Sequence, residues 1–127
     1  TGRRGRPMLS AIEPVTNPDD VKRIQRVVGD VAVADTVGQY VVALLDATRR
    51  HPSVRLGAST RSGVSLVALA RGRAALAGRT FVTPDDVADI AVSALAHRVL
   101  AADGDGSTTA GRRIVEECLD AVPAPGL

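Results

Sequence analysis

The chain has 127 residues, 45% hydrophobic and 24% charged, with 16 Lys and Arg against 14 Asp and Glu for a formal net charge of +2. That length suits one domain with one modest core; aromatics make up only 2%, Tyr40 and Phe81 alone, so Val, Leu, Ile and Ala must fill it, which favours closely packed helices over a β-sandwich. A lone cysteine, Cys118, excludes an internal disulfide and a Cys-based metal site, and no run approaches the roughly 18 apolar residues of a membrane span.

Residues 1–16 mix Gly, Pro and Arg without a period and read as a tether, or as the end of a preceding domain. Asn17-Pro18-Asp19-Asp20 then supplies a cap, a proline at the first helical position and two acids in the first turn. Val21, Ile24 and Val28 recur at helical spacing up to Gly29. Val31-Ala32-Val33 is extended, and Asp35 is expected to cap a second helix that buries Val37, Val41, Leu44 and Leu45, with Tyr40 beside them, and ends before Pro52.

After a short connection at 53–58, Ser59 is expected to cap a third helix running to about Ala77. Its apolar face is read as Leu66, Val67, Leu69, Ala70, Ala74 and Leu76, with Gly78 closing it. Thr80-Phe81-Val82 is extended, and Thr83-Pro84-Asp85-Asp86 forms a capping box with Asp in the place of Glu. Val87, Ile90, Ala91, Ala94 and Leu95 follow on one face; residues 101–109 form a loop, and a last helix over about 110–121 carries Ile114, Val115, Cys118 and Leu119. The expected fold is all-α: a small bundle or orthogonal array of about five helices, with 31–33 and 80–82 able to pair as a minimal ladder. The expected division is tether 1–16, helical domain 17–122 and flexible tail 123–127.

The catalytic signatures are missing. No phosphate-cradling G-x-x-x-x-G-K-[ST] run occurs, and no acidic pair follows an apolar strand as magnesium coordination would require. His51 and His97 fall into no metal spacing, and the acidic run Asp103–Gly106 does not fit a calcium loop. Cys118 sits on an apolar face with no neighbour to lower its pKa. The isoelectric point near 9.3 does not signal nucleic acid: Lys22 is the only lysine, and the arginines are scattered among acids.

One constellation points to a ligand. Gly57-Ala58-Ser59-Thr60-Arg61-Ser62-Gly63 places an arginine in the first turn of a helix, where the dipole disfavours a cation by some tenths of a kcal/mol. A guanidinium beside free backbone N–H groups forms a site for an external anion, most often phosphate. Thr83–Asp86, by contrast, is most simply a helix start.

The runs Ala47-Thr48-Arg49, His51-Pro52 and Leu56-Gly57-Ala58-Ser59-x-Arg61 continue with Gly78-Arg79-x-Phe81-Val82-Thr83-Pro84-Asp85-Asp86-Val87 and Leu95-x-His97-Arg98. In order and spacing they resemble the C-terminal lid of MoxR-type AAA+ ATPases over roughly residues 15–122. The departures are small: Thr60 stands where relatives often carry Pro, and Ser62 where Ala is common. The resemblance implies a helical lid beside a separate nucleotide-binding core, with Arg61 at the sensor-2 position, Gly57, Ser59 and Thr60 supporting it, and Arg49, His97 and Arg98 as further nucleotide or interface residues. It implies ATP and Mg2+ in the whole protein but none bound by this chain alone, which lacks Walker A and Walker B and has no activity of its own. The implied partners are the AAA+ core of the same chain, neighbouring subunits of a ring in a chaperone-like bacterial machine, and a von Willebrand A-domain protein, in the cytoplasm and away from any membrane. The chain starts without Met and is expected to belong to something longer. Two readings compete: a stand-alone helix-turn-helix reading DNA through Thr60, Arg61 and Ser62, and an adaptor that docks other proteins through an apolar patch.

Overall fold

A computed structural model describes residues 9–104 and 107–126. Residues 1–8 of the expected tether, Asp105 and Gly106 of the acidic loop, and Leu127 of the tail lie outside the described residues. A 3-10 turn at Leu9–Ala11 is followed by α1 (Pro18–Gly29), α2 (Asp35–Arg50), β1 (Val54–Leu56), α3 (Thr60–Leu76), α4 (Pro84–Leu95), a 3-10 turn (Ala96–Arg98), β2 (Leu100–Ala101) and α5 (Thr108–Ala121). The all-α class is as expected, and three helix starts follow the local chemistry of the sequence. Asn17 Oδ1 accepts from Asp20 N at 2.9 Å, Ser59 Oγ from Ser62 N at 3.2 Å, and Thr83 Oγ1 from Asp86 N at 3.3 Å with the box closed by Asp86.

Other expectations need correction. Asp35 is the first residue of α2 rather than its cap; Ala34 holds the cap position without a side-chain bond. Residues 53–58 are not merely a connection, because β1 pairs antiparallel with β2. The pairing of 31–33 with 80–82 is as expected, at one parallel bridge where Ala32 N donates to Thr80 O at 2.8 Å and Val82 N to Ala32 O at 2.9 Å. The last helix begins at Thr108.

The core is aliphatic. Leu44, Leu66, Val87, Leu95, Ile114 and Val115 are its largest fully buried side chains, and each such burial is worth roughly 1.5–3 kcal/mol. α3 reaches this core through a narrow stripe of Ser62, Gly63, Leu66, Ala70 and Ala74, mostly at a spacing of four. Leu69 and Leu76, expected inside, lie off the stripe and are exposed. The small residues on the stripe let α2 and α4 come close, so α3 buries through intimate contact what it lacks in bulk. α1 has no buried residue; Val21, Ile24 and Val27 remain 40–59% exposed.

Two glycines hold the framework by close approach or turning. A Cβ on Gly111 would stand 2.1 Å from the carbonyl oxygen of Ala96, so only glycine lets α5 lie against the Ala96–Arg98 turn. Gly78, at φ +74, ends α3 in a Schellman turn, with Arg79 N donating to Ala74 O at 2.9 Å and Gly78 N to Ala75 O at 3.0 Å.

Candidate functional site

The approach to α3 is pinned from the end of α2. Thr48 is fully buried; its hydroxyl donates to Leu45 O at 2.7 Å and accepts from Ala58 N at 3.0 Å. Arg49 Nε donates to Ala58 O at 3.0 Å, and its Nη1 to Asp46 at 3.2 Å. Ala58 is thus held by both backbone groups, between a hydroxyl and a guanidinium that are neighbours on one helix. Gly57 lies flat against Arg49, since a Cβ there would come within 2.6 Å of Arg49 Cα. The Thr48-Arg49 and Gly57-Ala58-Ser59 runs are two halves of one joint.

Ser59 then caps the helix, and its hydroxyl also meets that of buried Ser62 at 3.1 Å. The amides of Thr60 and Arg61 belong to the first turn and have no intrahelical acceptor. No acid stands in this turn. Arg61 is exposed and makes no hydrogen bond or ion pair with the described residues.

Arg49, Gly57, Ser59, His97 and Arg98 line one cleft of about 620 Å³ together with Leu56, Ala58 and Ser62, and no carboxylate belongs to that lining. Arg98 Nε donates to His97 Nε2 at 3.2 Å. The structure therefore brings together residues far apart in the chain. Arg61 and Thr60 are not in that lining: Thr60 lines the groove between α2 and α3, and Arg61 lines neither. The stretch between α2 and α3 runs from His51 to Ser59 and contains β1, which is not the tight turn of a DNA-reading helix pair.

The second helix start is closed on itself. Arg79 donates to both oxygens of buried Asp86, at 2.6 and 2.7 Å, and Asp86 also accepts from Thr83 N at 2.8 Å. These bonds, that of Arg79 foremost, hold the Asp86 carboxyl down at about 2 against an ordinary 3.8, despite its burial. Sequence reading placed the capping box but missed Arg79; a basic residue just past a glycine stop, facing an acid at the third position of the next helix, was the available clue. It also missed the joint of His51 to α5, where His51 Nε2 meets Glu117 at 2.6 Å while Nδ1 accepts from Ser53 N at 3.1 Å. That contact holds the Glu117 carboxyl below its usual range. Among the described residues no three His, Cys, Asp or Glu side chains converge as a metal site would need, and no helix is long and apolar enough to cross a membrane.

Comparison with known proteins agrees with this architecture. The family model for the AAA lid domain matches residues 46–118, more than half of the chain. YeaC, an uncharacterized protein of Bacillus subtilis, is 35% identical over 92% of this chain and 37% of its own length. Chaperone MoxR1 of Mycobacterium tuberculosis is 28% identical over 87% of this chain and 32% of its own length. A crystal structure of a protein assigned as an ATPase from Cytophaga hutchinsonii superposes with a TM-score of 0.76 at 28% identity, covering 85% of this chain and 36% of that one. The chain spans about a third of the length of these relatives. It belongs to the AAA lid domain family and is the helical lid of a MoxR-like AAA+ protein.

Proposed function

We propose that this lid contributes Arg61 as a sensor-2 arginine to the phosphates of ATP held by a separate AAA+ core, and so couples nucleotide state to the angle between lid and core. The observation that carries the reading is the state of Arg61: an exposed guanidinium without a partner among the described residues, on a helix start whose approach is clamped at both backbone groups of Ala58. Guanidinium is a permanent charge with a planar fork matched to phosphate oxygens. Two open amides beside it add donors at the positive end of a helix dipole.

The donor set fits a phosphate, while Mg2+ needs carboxylates or other hard oxygen ligands that this helix start and the neighbouring cleft do not offer. On this reading the core supplies the metal ligands and the attacking water, and this chain supplies charge and movement. Ring neighbours, a place in the cytoplasm and a von Willebrand A-domain partner belong to the same reading, and the likeness to Chaperone MoxR1 supports its chaperone-like part.

The test is Arg61→Ala in the full-length protein. One charge-assisted contact of roughly 1.5–3 kcal/mol predicts that ATP turnover falls about 10- to 100-fold, with the helical circular dichroism unchanged. Turnover and nucleotide affinity equal to wild type overturn the assignment.

A further inference from the structure

Arg61 springs from the first turn of α3, and helix ends fray when nothing holds them. Here the residues on both sides of it are fixed to the end of α2. Before it, fully buried Ala58 gives its amide to Thr48 Oγ1 at 3.0 Å, and its carbonyl accepts from Arg49 Nε at 3.0 Å. After it, Gly63 lies on Leu45, where a Cβ would stand 2.6 Å from Leu45 Cδ1. Leu45, Thr48 and Arg49 follow one another on α2, so one stretch of one helix fixes the backbone that carries Arg61.

The two arginines differ in what they have left to give. Arg49 is spent inside the molecule: its Nε holds Ala58 O, and its Nη1 holds the Asp46 carboxylate, which offsets its charge. Arg61 has no such tie among the described residues. One guanidinium builds the joint, and the other stays available to a ligand.

We propose that Thr48 and Arg49 are positioning residues: acting through Ala58, they hold the first turn of α3 so that Arg61 meets the nucleotide phosphates from a fixed place beside α2. The inference rests on the sensor-2 reading of Arg61, and it takes Arg49 out of the set of nucleotide ligands. A guanidinium on a frayed turn is still drawn to phosphate but loses its orientation, and a misplacement of about 1 Å costs up to about 100-fold in rate.

Two measurements on the full-length protein test it. Thr48→Val removes the acceptor of the Ala58 amide. Arg49→Lys keeps the charge and loses the fork that joins Ala58 O to Asp46. Without nucleotide, hydrogen exchange at the Ala58, Ser62 and Gly63 amides is expected to quicken about tenfold in both variants, the loss of roughly one hydrogen bond, while the amides of α4 exchange as in wild type. With ATP, each variant is expected to turn over about tenfold more slowly at unchanged circular dichroism. Thr48→Ser, which keeps the hydroxyl, recovers the turnover lost in Thr48→Val. In an Arg61→Ala background both substitutions lose their effect on turnover, because no guanidinium is left to position.

Wild-type turnover in Thr48→Val and Arg49→Lys, unchanged exchange at the start of α3, or an undiminished loss on top of Arg61→Ala would each overturn the inference and leave Arg61 as a phosphate ligand. Wild-type turnover in Arg61→Ala removes the sensor-2 reading and this inference together. Should Thr48→Val fail to fold, Arg49→Lys at a half-exposed side chain carries the same comparisons.

Discussion

The starts of α3 and α4 use nearly the same local device and end in opposite electrostatic states. Each opens with a hydroxyl residue, Ser59 or Thr83, accepting the amide three residues on. At α4 the first turn carries Asp85 and Asp86, and Arg79 returns from the end of α3 to neutralise Asp86 with two bonds. At α3 the first turn carries Arg61 and no acid, and no carboxylate among the described residues answers it. A helix start that satisfies its own donors and charge is a structural joint. One that keeps a free cation at the positive end of its dipole has spent a little stability and gained an open anion site.

Substitutions at the two starts should separate these roles. The largest effect on stability is expected at the closed start: Asp86→Ala removes the buried partner of Arg79 and the box that caps α4. Breaking a buried pair from one side costs about 3–5 kcal/mol, to be read as a fall in the midpoint of chemical denaturation. The acid dependence of the same residue comes next. Its folded pKa of about 2 lies below the ordinary 3.8, so the stabilisation is complete above the ordinary value and is lost as pH falls toward 2. That difference corresponds to about 2 kcal/mol. The stability gap between wild type and Asp86→Asn should therefore narrow between about pH 4 and pH 2; a gap independent of pH in that window would refute the role of the charge.

At the open start the stability effects should be smaller. Ser59→Ala removes a side-chain cap and is expected to cost about 1 kcal/mol, measured by thermal denaturation. Arg61→Ala is expected to change stability by less than about 0.5 kcal/mol, with a gain as plausible as a loss because a cation leaves the positive end of the dipole. A large loss there would mean that Arg61 is a structural residue, and the contrast between the two starts would fail.

Much of the fold was legible because its starts and stops are written over three or four residues. Asn17 with Asp20, Ser59 with Ser62, Thr83 with Asp86 and the stop at Gly78 could be read one by one. Asp35 was misread because a capping residue and a first-turn acid look alike until the backbone angles are known; Ala34 is extended and Asp35 is already helical. At the candidate site, Arg61 and its capping serine were visible locally. The clamp on Ala58 was visible only as two unexplained runs, Thr48-Arg49 and Gly57-Ala58-Ser59, since the bonds join residues nine or ten apart on different elements.

The sequence by itself determined the starts of α1, α3 and α4, the stop at Gly78 and that the core is aliphatic, because caps, glycine stops and side-chain volume act over a turn or less. Tertiary structure alone decided which apolar residues are covered: Leu66 is inside, while Leu69, Leu76 and, on α1, Val21, Ile24 and Val27 are outside. It also decided that His97 and Arg98 share a cleft with Arg49, and that Arg79 is neutralised while Arg61 has no partner among the described residues. The physical reason is that burial and charge pairing depend on which neighbouring element arrives, and periodicity along one helix does not carry that information.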